Sequence, residues 1–205
     1  MSQPPRTDAP AAGPRRRTGG RSARVMAAVA DAVMSELTES GLGAFSIPKV
    51  AVRSGVSRSS IYRRWQTKTD LITFAAIHHI EEAIPMPDLG SLRADLLRIV
   101  EEVAVFVTQP ASKALFAIAF GPNTAESDSV QNALWHMRTE RHQAVFDRAL
   151  ARGEISHDTD TGEIIERAIG PIYIRTFLSR RPVTPDFLER LLDGTLPSAP
   201  TAKRR

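Results

Sequence analysis

Cysteine is absent from the 205 residues. Disulfides, thiolate metal sites and a Cys-His catalytic pair are thereby excluded, and a reducing cytoplasm is the simplest location. No run of about eighteen apolar residues occurs, so no segment is expected to span a membrane. Residues 1–20 are rich in Pro, Ala, Gly and Arg and lack the apolar stretch of a secretory signal. No segment alternates convincingly between apolar and polar residues, so no strand is expected. There is no Gly-x-Ser-x-Gly elbow, no phosphate-cradling glycine loop and no pair of histidines four apart around a glutamate. Of His78, His79, His136, His142 and His157, only the first two are adjacent. Neighbouring residues point to different faces of a helix and chelate poorly. No metal and no cofactor are expected, and a helical enzyme is a remote alternative.

What is present is an uneven charge. The chain carries 27 basic and 23 acidic residues. Residues 1–68 hold twelve of the basic residues and only four of the acidic ones, and the rest hold fifteen and nineteen. A basic front and an acidic back suggest a polyanion-binding domain joined to one with another task.

Residues 1–20 read as a disordered basic arm. The first helix is expected over 22–40, from Met26, Val29, Val33 and Leu37, with Gly41 as its stop. Ser46 can cap the next helix, with Pro48 in its first turn, and Ile47, Val50 and Ala51 can face inward. Gly55 supplies a turn and Ser57 caps a short helix that shows Arg58, Ser59, Ser60, Tyr62, Arg63 and Arg64 while Ile61 and Trp65 anchor it. This is a helix-turn-helix over about residues 47–66, with a recognition helix suited to phosphates and base edges. Thr67 and Asp70 are spaced as a capping box for a fourth helix that ends near Pro85. Further helices follow from Ser91 until Pro110 halts it, over 111–120, from about Thr124 to Arg152, over 160–180 with an interruption at Gly170-Pro171, and from Thr184-Pro185 to Gly194. The fold class is all-α, with about nine helices.

The run Gly55-Val-Ser-Arg-Ser-Ser-Ile-Tyr-Arg-Arg-Trp-Gln-Thr-Lys-Thr-Asp-Leu71 resembles the helix-turn-helix of TetR-family, AcrR-like transcriptional regulators. Arg152-Gly-Glu-Ile, Gly170-Pro-Ile-Tyr173 and Arg181-Pro-Val-Thr-Pro-Asp186 resemble the C-terminal domain of one large subgroup. The resemblance implies a DNA-binding domain over 21–81, a larger effector-binding and dimerisation domain over 82–195, and a flexible tail over 196–205. It places residues 58–64 in the major groove, Tyr62 and Lys68 on phosphates, and Arg58, Ser59 and Ser60 on base edges or backbone. It implies a homodimer paired through its last two long helices, most often a repressor released from DNA by a small molecule. Arg63-Arg64 departs from the commonest pattern, an aromatic or small residue followed by His.

Physical chemistry sharpens parts of this picture. The Arg fork matches guanine O6 and N7 together, whereas Tyr62, Ser60 and Lys68 suit phosphates. Ser46, Lys49 and Ser57 complete the expected DNA-facing set. Arg15, Arg16, Arg17 and Arg21 are candidates for an adjacent minor groove, the alternative being a solubilising tail. One helix-turn-helix buries too little surface for tight operator binding, so a dimer on a palindromic operator is expected. Ile164, Ile165, Ala168, Ile172, Phe177, Leu188, Leu191 and Leu192 offer a dimer stripe, unless they pack internally. Candidate pocket residues are Phe74, His78, Phe106, Phe116, Phe120, Trp135, Met137 and Tyr173, which as a set suggest an apolar or aromatic effector with little provision for a highly charged one. The main alternative is an activator or adaptor whose C-terminal domain binds a protein partner.

Overall fold

The computed structural model describes residues 19–196. The basic arm, with Arg15, Arg16 and Arg17, lies outside the described residues, as does all but the first residue of the tail. Helix α1 spans Gly19–Ser40 and so begins three residues before the expected start, which puts Arg21 in its first turn rather than in an arm. Its apolar stripe of Val29, Val33 and Leu37 is buried.

α2 (Ile47–Ser54) and α3 (Arg58–Arg64) follow. α2 buries Ile47, Val50 and Ala51, and α3 is short enough to bury Ile61 alone. Between them Gly55 takes φ 68° and ψ 14°, a left-handed turn that disfavours any side chain with a Cβ. Ser46 stands at the N-cap of α2 but its hydroxyl makes no capping hydrogen bond, contrary to expectation; its carbonyl accepts from Lys49 and Val50 instead. α4 (Lys68–Ala83) opens with the expected capping box: Thr67 Oγ1 accepts from Asp70 N and Asp70 Oδ2 accepts from Thr67 N, each at 3.0 Å.

The second half contains α5 (Leu92–Phe106), α6 (Pro110–Ala119), α7 (Ala125–Ala151), α8 (Thr161–Tyr173), a π-helical segment (Ile174–Ser179) and α9 (Pro185–Thr195). α5 stops short of Pro110, which instead opens α6, where its missing N–H is no loss. The expected interruption at Gly170-Pro171 does not occur. α8 runs through both residues, with Ile164, Ile165, Ala168, Ile169 and Ile172 buried on either side of the proline. The irregularity comes later, as π-winding that ends at Arg180 with φ 50°. α9 likewise passes Gly194 by one residue.

α1 packs against α2, α4 and α6, and α4 packs against α7, so these contacts join the two halves. α8 and α9 pack against α5 and each other. This overturns most of the dimer stripe. Ile164, Ile165, Ala168, Ile172, Leu188 and Leu192 are buried within their own chain, and Leu191 is half-buried. Helical periodicity marks a buried face without saying which partner buries it.

Candidate DNA-facing helix and effector cavity

The surface of α3 is the product of its brevity. With Ile61 buried and Trp65 buried just beyond it, every other position faces outward or partly so. Arg58, Arg63 and Arg64 are exposed, and Tyr62 is 49% exposed. None of these arginines has an acidic partner among the described residues. The hydroxyls are ordered in a local network. Ser57 Oγ accepts from Ser60 N at 3.3 Å, donates to Ser60 Oγ at 2.9 Å and lies 3.1 Å from Ser59 Oγ. The cap of α3 is therefore also its polar rim.

Two expected DNA contacts are already engaged. Lys68 Nζ donates to Leu42 O at 3.0 Å and pairs with Glu126 at 3.0 Å, which ties the start of α4 to the first turn of α7. Lys49 Nζ lies 3.4 Å from Glu36 Oε1 and from Ser40 Oγ, although most of its side chain is exposed. Glu36 itself is buried in α1. Arg53 pairs with Glu39 through both its terminal nitrogens at 2.7 Å, a fork that fixes α2 on α1. That bond holds the Glu39 carboxyl below its ordinary range.

Trp65 links this surface to the interior. Phe74 lies 4.8 Å from its ring and His78 packs edge-on against Phe74 at 5.9 Å. Both are expected from the sequence to line a pocket, and neither does. They belong instead to the packing behind α3, because α4 turns that face toward Trp65.

A cavity of about 530 Å³ opens among α4, α5, α6, α7 and α8. Six of the expected residues line it: Phe106, Phe116, Phe120, Trp135, Met137 and Tyr173. Phe120 and Trp135 stand 67% and 51% exposed toward its mouth. Phe116 sits at the centre of an aromatic group with Phe177 at 4.7 Å, Tyr173 at 5.0 Å and Phe120 at 6.1 Å. Phe177, expected in the dimer stripe, packs instead behind this wall against Phe116 and Phe120 and does not itself line the cavity.

Sequence reasoning missed the polar lining, which comes chiefly from α7: Gln131, Asn132, Arg138, Arg141 and His142. Arg138 stands over the rings of Tyr173 and Trp135, at 5.8 and 6.0 Å. Arg141 Nη2 donates to Ile84 O at 2.7 Å, while its Nη1 is buried with no acceptor. Burial pushes the Arg141 guanidinium below its ordinary range. Burial pushes the His142 imidazole down to about 3, helped by the charges of Arg138 and Arg141. His142 is consequently neutral at physiological pH. The sequence signal for this lining is three polar positions, 138, 141 and 142, recurring at helical spacing on α7.

Among the described residues no group of His, Asp and Glu side chains is arranged to hold a metal ion, and no helix is long and apolar enough to cross a membrane. A family model described as bacterial regulatory proteins of the tetR family matches residues 29–73, and the tetracyclin repressor-like C-terminal domain matches residues 86–195. The HTH-type transcriptional regulator Rv1556 of Mycobacterium tuberculosis is 32% identical over 161 residues, covering 78% of this chain and 80% of that protein. The DNA-binding transcriptional repressor TetR of Mycobacteroides abscessus is 28% identical over 173 residues, covering 83% and 90%. Among solved structures, the TetR family transcription regulator SCO0332 superposes with a TM-score of 0.66 at 26% identity, over 86% of this chain and 98% of that one. With a helix-turn-helix at its front and the matching helical domain behind it, this chain belongs to the TetR family of helix-turn-helix transcriptional regulators and is not an enzyme.

Proposed function

We propose that this protein is a cytoplasmic homodimeric repressor, released from a palindromic operator when a small molecule fills the cavity of its C-terminal domain. The observation that carries the reading is the cavity itself. It is walled by the helix, α4, whose other end follows the recognition helix directly. Ile80 and Ile84 face the cavity near the end of α4, and Thr67 and Lys68 open α4 three residues after Arg64. A ligand that displaces Ile80 and Ile84 moves the helix that carries α3. A shift of a few ångströms in the separation of two α3 helices breaks simultaneous contact with two half-sites, which are spaced roughly 34–36 Å or a multiple apart. Release is thus a difference in ligand affinity between two states.

The DNA-facing set in this reading is Arg58, Ser59, Ser60, Tyr62, Arg63 and Arg64, with Ser46, Ser57 and Lys49 at its edge and Lys68 joining once its pairing with Glu126 opens. The dimer surface is assigned to what α8 and the π-helical segment leave outside, above all Ile174 and Leu178, which are 54% and 73% exposed. Repression as the sign of regulation is supported by the named role of the Mycobacteroides abscessus relative. An adaptor with a protein-binding core has no use for a 530 Å³ cavity and is disfavoured. Selection of duplexes from random DNA, followed by footprinting and mass measurement of the complex, tests the proposal. A palindrome bound by two protomers or a multiple is expected. A non-palindromic site bound by one protomer contradicts it.

A further inference from the structure

The cavity is not merely apolar. Its walls contain two arginines and no carboxylate, so the lining itself is positively charged, and the acid that acts on Arg141, Glu81, stands outside the walls. Arg138 lies at the outer range of cation–π contact with Trp135 and Tyr173, and none of its nitrogens is buried without a partner. Arg141 is different. One of its terminal nitrogens is spent on Ile84 O, and the other is buried with nothing to accept its hydrogens. Buried donors are nearly always paired, and an Arg fork is built for two oxygens side by side.

We propose that the effector is an amphipathic monoanion, an apolar body carrying one carboxylate, and that Arg141 receives the carboxylate while the aromatic wall around Phe116 receives the body. The inference rests on the reading of the cavity as an effector site and adds the ligand's chemical class. Three observations support it together. Nη1 of Arg141 lacks an acceptor, no acid lines the walls to compete with a ligand anion, and His142 beside it is neutral and able to donate an N–H. A cationic ligand would meet two guanidiniums in a confined space, and a polyanion would find only one buried nitrogen without an acceptor. Arg141 also ties the head group to α4, because the same guanidinium holds the carbonyl of Ile84 directly after that helix.

The test is a panel of carboxylates with graded apolar bodies, from octanoate through 2-naphthylacetate to 1-pyrenebutyrate, each paired with its neutral amide. Affinities for the full-length protein are measured by titration calorimetry. At least one carboxylate is expected to bind about tenfold or more tightly than its amide, as charge-assisted pairing implies. Arg141→Gln should bring the pair to within about threefold by weakening the carboxylate alone, Arg141→Lys should keep part of the preference, and Arg138→Gln should leave it in place. Equal binding of acid and amide overturns the inference and leaves the effector cavity standing. Binding by neither member of any pair overturns both. A preference lost in Arg138→Gln but kept in Arg141→Gln overturns the assignment to Arg141.

Discussion

The arginines of α3 and those of α7 carry the same group and meet opposite surroundings. Arg58, Arg63 and Arg64 stand in water on a seven-residue helix. Arg138 and Arg141 face a cavity with apolar walls. A hydrated guanidinium attracts a polyanion over a distance set by salt and releases counterions when it arrives. A confined guanidinium attracts one partner strongly and is strained without it. The chain thus uses one residue type for two kinds of recognition, and the local packing decides which.

The largest test of this contrast removes the packing under α3. Ile61→Ala leaves a hole beneath the exposed arginines and should destabilise the protein by about 2–5 kcal/mol. Urea unfolding checks the loss, and operator binding should fall with it. A small effect would mean that α3 holds its geometry without its one buried anchor.

The next test asks the surface arginines individually. N-terminal residues of a recognition helix reach base edges, so Arg58→Ala should cost about 1–3 kcal/mol and relax preference at one operator position. Arg63→Ala and Arg64→Ala, nearer the C-terminus, should lower affinity evenly across sequences and reduce the salt slope by about one each. Competition against single-base variants of the operator separates the two outcomes.

The interior is probed by pH. His142 is held neutral by burial with a value of about 3 in the folded protein, against about 6.5 in the unfolded chain. Between these values the unfolded chain binds more protons. The contribution of His142 is therefore intact above pH 6.5 and is lost as pH falls toward 3, with a slope of at most about 1.4 kcal/mol per pH unit. Urea midpoints at pH 7, 5.5 and 4.5 should decline, and His142→Asn should flatten that decline. An unchanged profile in the variant would show that His142 is already solvated.

How much of this was legible in sequence follows the same division. The front half obeys local rules: Gly55 for a left-handed turn, Ser57 and Thr67 for caps, and Val29, Val33 and Leu37 for a buried stripe. Each feature needs only a few neighbouring residues. The back half does not. Phe74 and His78 sit on the same helix as the cavity residue Ile80, and only the placement of Trp65 decides that they face elsewhere. The stripe of α8 and α9 was recognisable as apolar, yet α5 covers it. Nothing local to Arg141 singles it out, and its meaning depends on the carbonyl of Ile84, 57 residues away in the chain.

The smallest effect concerns the seam between the two regions. Lys68 pairs with Glu126, and the proposed DNA-binding mode gives it a phosphate once that pair opens. Glu126→Gln frees it and should raise operator affinity by about two- to tenfold at low salt, with a steeper salt slope. No change would assign Lys68 to the joint with α7 and Leu42 alone.

The most direct measurement is fluorescence anisotropy of one selected operator duplex, across a salt series, with wild-type protein, the Arg58→Ala/Arg63→Ala/Arg64→Ala variant and Arg141→Gln. The account predicts tight, sequence-selective and salt-dependent binding by the wild type. Binding should collapse in the α3 variant and stay unchanged in Arg141→Gln without ligand. Operator binding that survives loss of all three α3 arginines, or that fails when Arg141 alone is changed in a folded protein, would contradict the division of labour between the two arginine sets.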